Sequence, residues 1–345
     1  MPRSIRELVS TPKASSAPAE RTELDNSSLS PLAGGGERRC GLDLATRVAR
    51  IAAALRPSSS RRRPDARRTA LRAFFRDPQV VVGLVLLTAI LGLAAAADWL
   101  YLGDPLDTVA QPLLAPFENP GYPLGTDSLG RDIAAGIAHG ARTSLFIGFV
   151  ATAIGLALGV LIGGVGGYFG GWVDRLLLQL TELLQATPVF LLVVVIVALD
   201  RPTTMRISLA IGLTSWPIVA RLLRAEFRSL LQCDFVLAAR TQGFGDARII
   251  FREILPNALP PIVAIASMKV ATAILLESGL AFLGIGDANR ISWGSMIGDG
   301  RELLRTAWHL TVEPGLALTA TILSLNLIGD GLNDALNPRL RGESE

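Results

Sequence analysis

Lysine, cysteine and histidine are scarce in this chain, and each shortage removes a class of chemistry. Of 345 residues only Lys13 and Lys269 are lysine, and neither stands in a G-x-x-x-x-G-K-[ST] pattern. A P-loop needs that lysine on the nucleotide phosphates. The chain therefore does not bind ATP through a P-loop, and any ATPase that works with it is a separate polypeptide. Cys40 and Cys233 are the only cysteines, one near the start and one far along the chain, and their spacing suggests neither a disulfide framework nor a metal site. His139 and His309 are equally isolated, whereas a zinc site draws several ligands together. Neither H-E-x-x-H nor G-x-S-x-G occurs, which argues against an intramembrane enzyme. Charged residues make up 18% of the chain, less than a soluble protein of this length carries.

What is abundant is apolar and comes in blocks. Hydrophobic residues are 50% of the sequence, and the mean hydropathy is +0.42. A bilayer core of ~30 Å needs roughly 20 apolar residues as helix. Lipid offers the backbone no hydrogen bonds, which leaves helices or closed barrels. Continuous runs such as "VVVGLVLLTAILGLAAAA" lack the alternation of barrel strands. The expected fold is all-α, a polytopic bundle of six transmembrane helices at about 79–100, 144–169, 176–199, 206–223, 258–285 and 314–333. A signal peptide competes for the first block, since "AAAADW" offers small residues for cleavage. The run is longer than a usual signal core and follows a long arm, so it reads as a retained helix. Residues 1–70, rich in Ser, Pro, Arg and Gly, read as a disordered basic cytoplasmic arm with a possible short helix at 42–55. "TALRAFFRD", 69–77, reads as an amphipathic lead-in, 71–341 as the membrane domain and 342–345 as a tail.

The net charge is only +3, but the first 76 residues hold 16 of the 33 Lys and Arg. Beside a membrane helix, a basic arm points to orientation or anionic lipid rather than nucleic acid. With the amino terminus inside, the inner segments carry 25 basic residues and the outer ones 7; without the arm the ratio is 9 to 7. The positive-inside rule then puts both termini in the cytoplasm. Trp99, Trp293 and Trp308 fall near the outer interface and Trp172 near the inner one, as an aromatic belt would have it.

Between the fourth and fifth blocks lies a polar insert, 225–257, on the expected cytoplasmic side. Residues 225–242 read as one helix. Gly243 is placed to take the left-handed backbone that ends helices cheaply. Asp246 can cap a second helix, "ARIIFREIL", and Pro256 ends that helix or kinks it into the fifth span. Ala238 and Ala239 let another surface approach closely. A loop of this length with its own helices is usually functional, here as a docking element.

The same residues carry a resemblance. "LAARTQGFGDARIIFREILPN" resembles the EAA loop of binding-protein-dependent ABC importer permeases: E-A-A, three residues, G, nine residues, I-x-L-P. Ala238, Ala239, Gly243, Leu255 and Pro256 stand at matching positions, while Leu237 replaces the glutamate and Glu253 the first isoleucine. "PLGTDSLGRDIAAGIAHGARTSLFIG" (123–148), "ESGLAFLGIG" (277–286) and "GDGLNDALNPRLR" (329–341) are similar to segments of dipeptide/oligopeptide permeases, and the order matches their C-type subunit. The likeness covers about 72–341. It implies a type I ABC importer permease fold in the bacterial inner membrane, moving peptides or related small solutes, glutathione and nickel complexes among them, by alternating access. It implies as partners a second permease forming a heterodimer, two ATP-binding subunits with the ATP and Mg, and an extracytoplasmic solute-binding protein. It makes Ala238, Ala239, Gly243, Asp246, Leu255 and Pro256 the ATPase-coupling loop. It sets Gly125, Thr126, Asp127, Gly130, Arg131 and Asp132 in a structured outer segment near the docked binding protein.

Two further sets stand out. Gly155, Gly159, Gly163 and Gly167 repeat every fourth residue of the second span, a small-residue face for static packing or for sliding during transport. Glu182, Lys269 and Glu277 lie within spans, where charge is costly and often functional. Glu277 either lines the translocation path or braces a buried network, and Lys269 either snorkels or pairs with Glu182. The alternative function, a self-contained ion-coupled secondary transporter, would use these three as a charge relay.

Overall fold

Each apolar block forms helix in the computed structural model, which describes residues 74–336. The arm, the helix expected at 42–55, the start of the 69–77 lead-in and the end of the 329–341 motif lie outside the described residues. The helices are α1 (Pro78–Leu100), α2 (Ile133–Phe169), α3 (Gly171–Ala186), α4 (Val189–Ala198), α5 (Thr204–Leu230), α6 (Asp234–Thr241), α7 (Asp246–Phe282), α8 (Trp293–Gly300) and α9 (His309–Leu336). Among the described residues β-pairing is confined to isolated bridges in the 101–132 segment.

Five helices, α1, α2, α5, α7 and α9, are long and apolar enough to cross a bilayer. A sixth crossing is present only where a bent pair counts as one span. α3 and α4 meet the same test only together, and they are bent by 85°. The single helix expected over 176–199 is therefore broken, and the cause is local. Thr187 precedes Pro188 and is extended (φ −94°, ψ 133°), because the proline ring crowds an α-conformation in the residue before it. α2 begins at Ile133, well before the expected 144, because Asp132 caps it by accepting the Ala134 N–H at 2.9 Å.

α2 packs most extensively on α5, along the glycine stripe. A methyl at Gly159 would sit 2.5 Å from Val219 Cβ, and one at Gly167 2.7 Å from Phe227 Cβ. At Gly163 it would meet the Ala220 backbone, and at Gly155 the Ser215 hydroxyl. All four glycines are buried. The face is closely packed in this structure: side chains and backbone of α5 fill the space beside each glycine. α7 lies against α2 and α9, and α1 against α9 and α2. Arg142 of α2 clamps the last turn of α1, donating to the carbonyls of Ala94 and Ala95 and to Asp98 Oδ1 at 2.8 Å.

Trp293 departs from the expected belt. Trp99, Trp172 and Trp308 are exposed, but Trp293 is 1% exposed, and its Nε1 donates to the Ile137 carbonyl at 3.0 Å. α8 tucks its first residue between α2 and α7, where Gly140 and Gly294 leave room for it. An indole with a partner for its N–H is at home in a core.

Candidate functional site

The insert forms a helix–turn–helix at one end of the bundle, with three departures from expectation. α5 runs on to Leu230, and a short break at 231–233 separates it from α6, so 225–242 is not one helix. Gly243 has φ +77°, the left-handed conformation expected of it, whereas Gly245 has φ −69°. Asp246 does not cap α7. Gly245 occupies the N-cap, and no side chain bonds there. The Asp246 carboxylate instead accepts the Tyr168 hydroxyl at 2.5 Å. Pro256 does not end the helix. Residues Ile249–Ile254 widen into a π-turn, in which Leu255 N–H bonds the Ile250 carbonyl five residues back. That register shift carries the helix into Pro256 without calling on the N–H that proline lacks.

The two alanines face opposite ways. Ala239 is buried with Val236 in a cluster that includes Leu223, Phe227, Ile249 and Ile254, while Ala238 is exposed beside Phe235 and Leu237. Only Ala238 is free to meet another surface. Leu237, in the place of the pattern's glutamate, adds an apolar side chain to that surface rather than a charge. Leu255 is half-buried and Pro256 exposed. Around this end lie polar ties that no local spacing announces. Arg240 of α6 stands over the Tyr168 ring, 5.9 Å from its centroid. Asp174, buried in the first turn of α3, accepts from Arg228 and from Arg224 Nη2, the latter at 2.8 Å. The four-residue spacing of Arg224 and Arg228 on one helix face is the only sequence hint of that pairing.

The three intramembrane charges do not converge. Glu182 is exposed on α3 and Lys269 half-buried on α7, and no ion pair joins any two of Glu182, Lys269 and Glu277 among the described residues. Glu277 is 2% exposed, with Ser144 Oγ at 3.5 Å and Ser278 Oγ at 3.4 Å. Serine hydroxyls of α2 and α7 thus bond to its carboxyl.

At the opposite end, the 123–132 motif folds the segment before α2. Gly125 (φ +80°) and Gly130 (φ +74°) turn tightly against the carbonyls of Leu114 and Ala110. Thr126, fully buried, donates to the Gln111 carbonyl at 2.5 Å and accepts Leu114 N–H at 3.1 Å. Asp127 Oδ1 accepts the N–H groups of Leu129 and Arg131, each at 2.8 Å. Asp127, Arg131, Asp132 and, from α8, Asp299 line a small cavity of about 30 Å³. Burial pushes the Asp132 and Asp299 carboxyls above their ordinary range, against the amides of Ala134 and Ala135 in the first case and Arg131 in the second.

The family model and the sequence relatives agree on one kind of protein. The family described as "Binding-protein-dependent transport system inner membrane component" matches residues 155–342. The dipeptide transport system permease protein DppC of Alkalihalophilus pseudofirmus is 36% identical over 276 residues, covering 79% of this chain and 90% of that protein. A putative peptide transport system permease protein of Brucella suis is 38% identical over 281 residues, covering 81% and 92%. Among solved structures, a chain of the MetNI methionine ABC transporter in an inward-facing conformation is similar with a TM-score of 0.49 and 17% identity, over 59% of this chain and 96% of that chain.

Proposed function

This chain belongs to the family of binding-protein-dependent transport system inner membrane components, and from that premise we propose how it works. It is a multi-pass inner-membrane permease subunit of an ABC importer, a transporter component rather than a catalytic subunit, and it works with ATPase and substrate-binding partners. Its cargo is a peptide, on the strength of the dipeptide and peptide permeases that resemble it over nearly their whole length.

The observation that carries the coupling assignment is the two-sided build of α6. Val236 and Ala239 anchor it in the bundle, and Phe235, Leu237 and Ala238 are left facing out. A helix anchored on one face that leaves Phe235, Leu237 and Ala238 exposed beside Asp234 and Arg240 offers a mixed apolar and charged surface on which a partner can dock. The docked surface belongs to one of two ATP-binding subunits, which hold the ATP and Mg. A second permease completes a heterodimer. Both termini and α6 are cytoplasmic. The segment before α2 and α8 face outward, where the solute-binding protein delivers cargo. Closure of the ATPases pulls α6, and the helices open alternately to the two sides. Purification with the neighbouring gene products tests this: an ATPase should accompany the chain, and uptake of a labelled dipeptide into proteoliposomes should require ATP. Uptake by the chain alone, driven by an ion gradient, would overturn the reading.

A further inference from the structure

Tyr168 is the next-to-last residue of α2 and touches both arms of the helix–turn–helix. Its hydroxyl donates to Asp246 Oδ1 at 2.5 Å, from α2 to the first residue of α7. Its ring lies 5.9 Å from the Arg240 guanidinium carbon of α6 and packs against the cluster holding Val236 and Ile249. Among the described residues, the Tyr168 hydroxyl carries the side-chain hydrogen bonding between α2 and residues 231–257, chiefly to Asp246 with Arg240 beside it. α2 is in turn locked to α5 through the glycine stripe. The loop already continues covalently from α5 and into α7, but α2 is reached only by contact. Without Tyr168, a pull on the turn at Gly243 would act on α2 through apolar contact alone, which resists separation but has no preferred direction. A hydrogen bond to a carboxylate has both length and direction.

Resting on the coupling-loop reading above, we propose that Tyr168 is a positioning residue for energy coupling: its hydroxyl, held by Asp246, ties the turn of the loop to α2, so that a displacement of the loop moves α2 and α5 as one body. Arg240 keeps the ring in place over the same turn.

The test uses the assembled transporter in proteoliposomes, with its ATPase and binding protein, and reads peptide imported per ATP hydrolysed. Tyr168→Phe keeps the ring and removes only the donor. Membrane abundance and co-purification with the ATPase should stay at the wild-type level, while the transport-to-hydrolysis ratio falls about fivefold or more, as loss of a hydrogen bond to a charged group would give. Asp246→Ala should match Tyr168→Phe. The double variant Tyr168→Phe/Asp246→Ala should be no worse than either single change, since both remove one interaction. A wild-type ratio in Tyr168→Phe overturns the proposal. So does a loss of assembled complex in step with the loss of transport, which would make Tyr168 a folding residue only. Failure of the wild-type chain to recruit an ATPase would instead defeat the coupling-loop reading itself.

Discussion

Glu277 of α7 and Ser144 of α2 meet inside the bundle, Oε2 to Oγ at 3.5 Å, and Ser144 Oγ also accepts the Trp293 backbone N–H at 3.4 Å. One hydroxyl thus joins α2, α7 and α8. Ser278 adds a second hydroxyl to the carboxyl. A buried carboxyl survives only when its oxygens are bonded, and here the bonding groups are those that hold α8 against the bundle.

Glu277→Gln should therefore leave import within about twofold of wild type, because the amide still accepts from both serines. Glu277→Leu strands these partners at a cost of about 1–3 kcal/mol, read as a lower melting temperature of the detergent-purified complex. A changed preference between cationic and anionic peptides in Glu277→Gln, at unchanged stability, would place the side chain in the cargo path instead.

The glycine stripe makes a paired prediction. Gly163→Ala pushes a methyl into the Ala220 backbone, with Cα at 2.9 Å, where nothing can rotate away. The cost of such overpacking is about 1–3 kcal/mol. Gly164→Ala, one residue on, meets the edge of the Phe227 ring at 3.4 Å and the Leu223 side chain at 3.8 Å, and should be nearly neutral. Thermal unfolding of the two variants checks this. Equal effects would mean that the α2–α5 interface is looser than the atoms indicate.

These contrasts also mark what could be read in advance. Requirements that are local were legible: the apolar blocks fixed where helices would lie, and Gly243 announced its left-handed turn. The bend at Thr187–Pro188 had a local cause in Pro188, but the hydropathy of 189–199 masked it. The early start of α2 was hidden because His139 and Arg142 dilute the apolar run, and Arg142 is tolerated only through its bonds to Ala94, Ala95 and Asp98, far away in sequence. Tyr168 and Asp246 are 78 residues apart, so no spacing rule could pair them. Trp293 fits a belt or a core equally well until α8 is seen to fold inward.

The orientation is open to chemical labelling in a background lacking Cys40 and Cys233. Asp107 and Ala247 are both exposed, at opposite ends of the bundle. A membrane-impermeant thiol reagent should modify Asp107→Cys in intact cells, and Ala247→Cys only after permeabilisation. The reverse pattern would invert the topology and move α6 away from any cytoplasmic ATPase.

The turn at Gly243 gives the sharpest test of the loop's role. Its φ of +77° lies where any side chain strains the backbone, at about 1–2 kcal/mol, yet a Cβ there would meet nothing within 4 Å. Gly243→Asp thus costs conformation, not packing, and adds a charge at the tip where a partner closes. The spans are untouched, so membrane abundance should be normal. Import should be lost, together with either ATPase co-purification or the stimulation of ATP hydrolysis by the loaded binding protein. Gly245→Ala is the control: its φ is −69° and its surroundings are open, so it should import at nearly the wild-type rate. Wild-type import in Gly243→Asp at equal abundance would mean that this turn does not transmit the work of the ATPase, and the exposed face of α6 would need another partner.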